Sequence, residues 1–267
     1  MMGPDPAGRG ARPRLTLGHA EAGASSAPVV VLAPGLGTRR SMFDETARAL
    51  AVDHRVITVD LPGHGTSSPV ADPFRLEDVT AAILTLLDSL AVGSFAFLGV
   101  SVSGAVGQAL ALAAPDRVRQ LVVCASAAHW PDQEQWQLRA ARIRAEGVGF
   151  MVPSREGVWF SAAFAARHPE RARSLLDDLA ATDAASYAWW CDAIRAFDTR
   201  ADLHRILTPT TVVVGDLDTA TPPELAEELH AGIRGSRLQV IHGGYHLLPL
   251  EHPELTAELV RAGARGE

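Results

Sequence analysis

The chain has 267 residues, and its 24 basic and 31 acidic side chains give a formal net charge of −7. Hydrophobic residues make up 47% and charged residues 21%, which is typical of a compact globular protein and excludes disordered, collagen-like and coiled-coil chains. The acidic balance and the lack of a basic stripe argue against nucleic-acid partners, because phosphate backbones would be repelled. All basic residues are Arg, so the absence of Lys excludes Schiff-base chemistry and a phosphate loop that ends in Lys.

The N-terminal residues 1–14 contain Arg, Pro and Gly, and no apolar run of signal-peptide length follows them. We therefore predict a disordered tail. No apolar run approaches the roughly 20 residues that a membrane span requires. The two cysteines match no metal-ligand or redox spacing, which fits a reducing compartment. Together these observations predict a soluble, cytoplasmic protein without a membrane partner.

Six short, mostly apolar and β-branched runs bounded by turn residues are typical of buried strands. In chain order these predicted strands are 29–32, 55–59, 95–100, 121–123, 211–214 and 238–241. Helical patterns lie between them. One such pattern forms a single apolar stripe at Leu76, Val79, Ile83, Leu86 and Leu90. Strands that alternate with helices predict an α/β fold, with a mostly parallel sheet flanked by helices.

The alternation of strands and helices stops within residues 127–205, where the pattern is helical without strands. An insertion between two strands of an α/β sheet is well placed to cover the carboxyl ends of the strands, where such sheets bind ligands. We therefore predict one α/β core, formed by residues 15–126 and 206–267, with a helical cap at residues 127–205.

The segment 98–104, LGVSVSG, follows a predicted strand and opens a helix of small residues. This is the context of a nucleophile elbow, in which a sharp turn holds Ser101 in a strained backbone conformation. Small residues two positions before and after the serine relieve the clash; Gly99 fills the first position, and Ser103 stands where a second glycine is usual. The alternative is a tight turn in which Ser101 only caps the helix. The preceding strand and the following helix favour the nucleophile.

A nucleophilic serine needs a general base and a third group that fixes the tautomer of the base, and in this context they follow in the order Ser, acid, His. Asp216 and Asp218 both follow a predicted strand, and we favour Asp218 as the acid. His246 lies in a glycine loop after the last predicted strand and is the predicted base, with His242 as its nearest rival. A zinc site at the two histidines lacks a Glu after the first histidine and any further ligands, so we predict no metal.

Acyl transfer also needs N–H donors aimed at the developing oxyanion. The backbone N–H of Val102, directly after the serine, is the first predicted donor. The glycine loop after the first predicted strand supplies the second, the N–H of Leu36. The segment 60–67, DLPGHGTS, is interpreted as a structural turn near the pocket, and His64 receives no catalytic role.

Together these segments resemble the α/β-hydrolase family and, within it, the 3-oxoadipate enol-lactonases of aromatic-compound degradation. The resemblance covers about residues 28–262, and its most specific part is the predicted cap. The cap residues that carry it are Trp136, Arg139, Arg144, Glu146, Gly147, Trp159, Phe160, Thr182, Asp183, Tyr187, Cys191, Ile194 and Asp198. Trp189 and Trp190 depart from the pattern, because smaller residues are usual there, and the effect of this bulky pair on the specificity of the pocket stays open.

The resemblance implies that Ser101, Asp218 and His246 form a catalytic triad. It also implies that the backbone N–H groups of Leu36 and Val102 stabilise the oxyanion. The implied activity is hydrolysis of the lactone ring of 3-oxoadipate enol-lactone through an acyl-enzyme. This chemistry acts on a small-molecule ester or lactone and needs no cofactor.

The resemblance further implies that Trp136 of the cap faces the pocket, although a place in the core of the cap is the alternative. A dicarboxylate substrate has a free carboxylate that needs a cation, and Arg binds carboxylates with two parallel hydrogen bonds. Arg139 is the first candidate for this contact and Arg144 the second. For either residue, the alternative is a solvated helix face.

Other functions stay open at the level of the sequence. Within the enzymes of the same fold, the alternatives are a general carboxylesterase, a lactonase with a different substrate, and a cofactor-free haloperoxidase or perhydrolase. A different class is a non-catalytic ligand receptor that keeps the pocket, against which the intact order of Ser, Asp and His argues. The sequence is compatible with a homo-oligomer and does not set the oligomeric state.

Overall fold

The computed structural model of the protein describes residues 13–264. The first twelve residues of the predicted disordered tail lie outside the described residues, and Pro13 and Arg14 belong to an irregular segment that precedes the first strand. Within the described range, no helix is both long enough and apolar enough to cross a membrane.

A single sheet runs through the described part of the chain. Its strands are β1 (His19–Ala22), β2 (Val29–Ala33), β3 (Arg55–Val59), β4 (Phe95–Val100), β5 (Val118–Cys124), β6 (Thr210–Gly215) and β7 (Arg237–Ile241). The strand order is β1-β3-β2-β4-β5-β6-β7, and all neighbours are parallel except β1 and β3. The predicted α/β fold with a mostly parallel sheet is therefore confirmed, and each of the six predicted strands is present.

Strand β1 was not predicted from the sequence. Its residues, HAEA, are exposed or half-buried and show no apolar alternation. The strand exists because it pairs in antiparallel register with residues 56–59 of β3. A partner strand that is distant along the chain creates this element, since strand formation depends strongly on context.

The strands β2 to β6 are buried because helices flank the sheet. These helices are α1 (Asp44–Leu50), α2 (Leu76–Ser89), α3 (Val102–Ala113), α8 (Pro223–Gly232), α9 (Leu248–Glu251) and α10 (Pro253–Ala264). Val30, Val31 and Leu32 of β2 are fully buried, as expected for a strand covered on both faces. On α2 the predicted apolar stripe faces inward, with Leu76 and Ile83 buried.

Four α-helices lie between β5 and β6 in the described structure. They are α4 (Gln133–Glu146), α5 (Ala162–Arg167), α6 (Pro169–Ala180) and α7 (Ala184–Ala196). Helix α7 packs against α4 and is joined to the segment that follows β3. The indole N–H of Trp190 donates to the carbonyl of Pro62 (2.9 Å), and the hydroxyl of Ser186 accepts from the backbone N–H of Val70 (2.8 Å). These contacts hold the inserted helices at the carboxyl end of the sheet.

Candidate active site

Ser101 occupies the turn between β4 and α3, with φ 57° and ψ −122°. A residue other than glycine rarely adopts a positive φ, and such strain is concentrated at functional sites. A Cβ added to Gly99 would lie 2.1 Å from the backbone oxygen of Ser103, so the tight turn requires glycine there. The Ser101 side chain makes no capping hydrogen bond to α3. The simple helix-cap alternative therefore does not describe this serine.

Ser103, which replaces the usual second glycine, has a contact of its own. Its buried hydroxyl donates to the carbonyl oxygen of Pro34 at 2.5 Å. Pro34 begins the loop that follows β2 and contains Leu36. The serine at position 103 therefore links the first turn of α3 to that loop by a hydrogen bond.

Asp218, after β6, and His246, after β7, form a buried pair with only 2% and 5% of their surfaces exposed. Nδ1 of His246 lies 2.8 Å from Oδ2 of Asp218. The backbone N–H groups of Ala220 and Thr221 donate to Oδ1 at 2.8 and 2.9 Å, and the Thr221 hydroxyl donates to Oδ2 at 2.8 Å. Burial alone would raise the pKa of Asp218, but the charge of His246 and the hydrogen bonds lower the pKa below its usual value.

The rival residues Asp216 and His242 form a separate pair on the surface. Oδ2 of Asp216 lies 2.6 Å from Nδ1 of His242, whose side chain is fully exposed. The other carboxylate oxygen accepts from the backbone N–H of Gly243 at 2.7 Å. Asp216 therefore fixes a surface turn, and the structure brings Asp218 to His246 instead.

Ser101, His246 and Leu36 line one cavity of about 400 Å³. The loop after β6 contributes residues 219–222 to the same wall. The inserted segment between β5 and β6 contributes Trp130, Trp136, Arg139, Arg155, Trp159, Tyr187 and Ile194. The cavity thus lies between the strand-end loops of the core and the inserted helices.

The two predicted oxyanion donors lie beside Ser101 in different elements. Val102 is the first residue of α3, and N–H groups in the first turn of a helix have no intrahelical acceptor. Leu36 belongs to the loop after β2, and this loop approaches the serine closely. A Cβ added to Gly35 would lie only 3.6 Å from the Cβ of Ser101.

His64, in the segment 60–67, makes a contact that sequence reasoning missed. Its Nδ1 lies 2.9 Å from the carbonyl oxygen of Pro62, so Nδ1 carries the proton. Its Nε2 accepts a hydrogen bond from the backbone N–H of Gly37 at 2.9 Å. Burial lowers the pKa of His64 to about 4, which keeps the imidazole neutral near pH 7. The buried side chain thereby holds the peptide group next to Leu36.

Trp136 and Arg139 both line the cavity from α4. The guanidinium carbon of Arg139 lies 4.4 Å from the centre of the Trp136 ring. Trp136 in turn packs edge-to-face on Trp130, with ring centres 6.4 Å apart. The structure thus places Trp136 in the cavity wall and not only in the core of the cap.

Arg144, the second predicted carboxylate ligand, lies outside the wall of this cavity. It is exposed, its Nη2 pairs with Asp192 at 2.5 Å, and its guanidinium carbon lies 4.7 Å from the Trp189 ring centre. A helix turns by roughly 100° per residue. Because Arg144 lies five residues after Arg139, it is on a different face of α4. The prediction that Arg144 is a second ligand of the substrate carboxylate is therefore corrected.

The bulky pair Trp189 and Trp190 also lies outside the wall of this cavity. Trp190 packs edge-to-face on Phe74 with ring centres 4.9 Å apart. The indole N–H of Trp189 donates to the carbonyl oxygen of Ala71 at 3.3 Å. Both rings contact the segment between β3 and α2 instead of the space beside Ser101.

Arg155 was not identified from the sequence, although it lines the cavity. It follows the short 3₁₀ helix Gly149–Ser154, and its guanidinium carbon lies 5.8 Å from the Trp159 ring centre. Burial is the main cause of a lowered pKa of this arginine. No motif marks Arg155, because it lies in a turn directly after this 3₁₀ helix and outside any periodic element.

Residues 30–259 match the model of a family described as the alpha/beta hydrolase family. The chain belongs to this family. It is 31% identical over 248 residues to 3-oxoadipate enol-lactonase 2 of Acinetobacter baylyi. The aligned residues cover 93% of this chain and 92% of that protein. It is 33% identical to a pimeloyl-[acyl-carrier protein] methyl ester esterase of Neisseria meningitidis, with 89% of this chain and 93% of that protein covered.

The crystal structure of the enol-lactonase from Burkholderia xenovorans LB400 superposes on this fold with a TM-score of 0.89. The two chains are 31% identical, and the match covers 93% of this chain and 96% of that chain. As an alpha/beta hydrolase, the protein is a hydrolase whose relatives include enzymes named for lactone and ester hydrolysis.

Proposed function

We propose that the protein is a serine hydrolase that opens the lactone ring of 3-oxoadipate enol-lactone. The observation that carries this proposal is the buried Asp218–His246 pair, whose histidine lines the same cavity as the strained Ser101. The 31% identity to an enol-lactonase over 93% of the chain favours a lactone as the substrate.

In the proposed first step, Oγ of Ser101 attacks the lactone carbonyl while Nε2 of His246 takes the hydroxyl proton. Asp218 keeps the other proton of the imidazole on Nδ1 and stabilises the imidazolium that forms. The backbone N–H groups of Leu36 and Val102 donate to the tetrahedral oxyanion. Each of these groups belongs to a loop or helix start at the carboxyl end of the sheet.

Collapse of the tetrahedral intermediate breaks the ring C–O bond and expels an enolate, which is a good leaving group. The enolate takes the proton that Nε2 of His246 received from Ser101, which restores the neutral imidazole, and the enol product tautomerises to the ketone. A water molecule that gives its proton to His246 then attacks the acyl-enzyme, releases 3-oxoadipate and returns the hydroxyl proton to Ser101. Apart from the hydrolytic water, the proposed steps use side chains and backbone groups of this chain.

The wall contributed by α4 supports a substrate that carries a free carboxylate. Arg139 is half-buried, lines the cavity and stacks on Trp136. A guanidinium binds a carboxylate through charge-assisted hydrogen bonds. The free carboxylate of the enol-lactone would thus contact Arg139.

A general carboxylesterase is the second candidate function, and the identity to a methyl ester esterase favours it. The same triad and oxyanion donors would serve such an enzyme. The two candidates differ in whether the carboxylate-bearing lactone is preferred over a simple ester.

The test is hydrolysis of 3-oxoadipate enol-lactone and of a short p-nitrophenyl ester by the wild type and by Ser101→Ala. We expect kcat of the variant to fall roughly 10⁴–10⁶-fold, because the nucleophile is lost. The exposed Ser89 at the end of α2 offers a matched control, Ser89→Ala, which should keep full activity. A loss of less than tenfold in Ser101→Ala would contradict the triad, whereas ester turnover without lactone preference would favour the carboxylesterase.

A further inference from the structure

Two arginines differ from every other half-buried arginine in the described part of the chain, residues 13–264. Six of these arginines form an ion pair with a carboxylate, namely Arg39, Arg40, Arg55, Arg117, Arg171 and Arg261. Within the same range, Arg139 and Arg155 are half-buried but have no ion pair. Both of them line the cavity that contains Ser101.

The contacts of Arg155 leave much of its guanidinium unsatisfied. Its Nη2 donates to the hydroxyl of Ser154 at 3.0 Å, but its Nε is buried and has no hydrogen-bond partner among the described residues. A buried polar group without a partner is costly, and the cost is larger for a charged group. Among residues 13–264, the only hydrogen bond of the Arg139 side chain is a long one, from its Nη2 to Oε1 of Gln135 at 3.4 Å.

The two guanidinium groups also act on each other. Burial lowers the pKa of Arg155, and the positive charge of Arg139 lowers the pKa in the same direction. The acidic residues in the cavity wall, Asp132 and Glu224, are exposed. Asp132 also caps α4 by accepting from the backbone N–H of Gln135 at 2.9 Å. The half-buried part of the wall is therefore positive and its exposed part carries the acidic groups.

We propose that Arg155 and Arg139 together bind a carboxylate of the substrate and that Arg155 determines specificity for anionic substrates. This inference rests on the hydrolase function proposed above and extends it to a residue that no motif marks. A carboxylate between the two guanidinium groups would neutralise their mutual repulsion and accept the unused N–H donors. The favoured substrates are esters or lactones with a second, ionised carboxyl group.

Two p-nitrophenyl esters separate charge recognition from turnover. One is p-nitrophenyl hydrogen glutarate, whose acyl chain ends in a carboxylate, and the other is the neutral p-nitrophenyl pentanoate. In Arg155→Met we expect kcat/KM for the anionic ester to fall about 10- to 100-fold, the loss typical of a hydrogen bond to a charged group. For the neutral ester, kcat/KM should stay within about threefold of the wild type.

The exposed Arg142 on α4, which pairs with Glu146 at 2.9 Å, provides the matched control, Arg142→Met. It removes the same charge outside the cavity wall and should change neither ester. Equal losses on both esters in Arg155→Met, or an unchanged rate on the anionic ester, would overturn the proposal. If Arg155→Met fails to fold, Arg155→Gln takes its place with the same expected results.

Binding of glutarate, measured by calorimetry in the Ser101→Ala background, tests the carboxylate site without catalysis. We expect Arg155→Met or Arg155→Gln in that background to weaken glutarate binding about 10-fold or more. Glutarate binding that depends on Arg155 would support the carboxylate site even if neither ester is hydrolysed, in which case only the hydrolase proposal fails. Ester hydrolysis with glutarate binding independent of Arg155 would overturn the carboxylate site alone.

Discussion

At the residue scale, Asp218 and Asp216 show how two carboxylates separated by one residue take different environments. Asp218 is buried and accepts hydrogen bonds from Ala220, Thr221 and His246. These donors keep it ionised, since an unpaired buried carboxylate would be neutralised instead. Asp216 pairs with an exposed histidine, and its charge is screened by water. Only Asp218 can therefore fix the tautomer of His246.

This difference predicts unequal effects of two matched substitutions. Asp218→Asn should lower kcat roughly 10⁴-fold, because an amide in this position favours the wrong imidazole tautomer. Asp216→Asn should leave kcat within about threefold of the wild type, since surface ion pairs contribute little. Steady-state kinetics on the same ester would compare the two. If the losses were similar, Asp218 could not be assigned as the orienting acid.

At the element scale, the loop after β2 is held from two sides. The Ser103 hydroxyl at the start of α3 binds the carbonyl of Pro34, and His64 in the segment 60–67 binds the N–H of Gly37. Leu36, the proposed oxyanion donor, lies between these two attachment points. Because the donors of an oxyanion site must be fixed before the reaction, both contacts should matter for the position of this N–H group.

The contact of His64 predicts a pH dependence of stability. Its pKa of about 4 in the folded state lies below the reference value of 6.5, so the unfolded chain binds an extra proton between these values. The stabilisation from the neutral imidazole is therefore fully present above pH 6.5 and is lost as the pH falls towards 4. It amounts to at most about 3 kcal/mol.

The comparison variant is His64→Gln, whose amide can donate to Pro62 and accept from Gly37 but does not titrate. Urea unfolding of both proteins at pH 7 and pH 4.5 would give the free energies of unfolding. We expect the wild type to lose about 2 kcal/mol more than the variant between these two pH values. Parallel losses would contradict a buried, neutral His64 that holds the loop.

At the scale of the whole molecule, the inserted helices are connected to the core at several places. Besides the contact of Trp190 with Pro62, the carboxylate of Glu251 in α9 accepts from the backbone and the hydroxyl of Ser161 at 2.9 and 2.6 Å. The N–H of Leu247, next to the proposed base, donates to the carbonyl of Trp159 at 2.9 Å. The inserted helices therefore support the loop that carries His246.

These connections predict that the inserted helices and the sheet unfold together. All five tryptophans lie between β5 and β6, at positions 130, 136, 159, 189 and 190, so their fluorescence reports on the inserted segment. Far-ultraviolet circular dichroism reports on the whole chain. In urea, we expect both signals to change at the same midpoint, as in a two-state transition.

Separate midpoints would contradict this prediction and would identify the inserted segment as an independent unit. The variant Trp190→Phe tests the connection to the core directly, because it removes the hydrogen bond to Pro62 while the replacement ring still fills most of the space. We expect it to lower the free energy of unfolding by about 1–2 kcal/mol, with both signals still moving together.

The sequence by itself determined the features that depend on local pattern. The six apolar runs predicted six strands because parallel strands covered on both faces need continuous apolar residues. The turn at Ser101 could also be located from the sequence, because its tight packing requires a glycine at position 99 and a small residue at position 103. The order of Ser, Asp and His along the chain likewise needed no structure.

Tertiary structure alone decided which side chains meet across the fold. β1 exists only through its pairing with β3, and the pairing of Asp218 with His246 depends on the directions of two loops that are joined to different strands. The positions of Arg144 and Arg155 were decided in the same way, by a helix face and by an irregular turn. The physical reason is that sequence patterns report which residues are buried, whereas contacts between distant loops depend on how the whole chain packs.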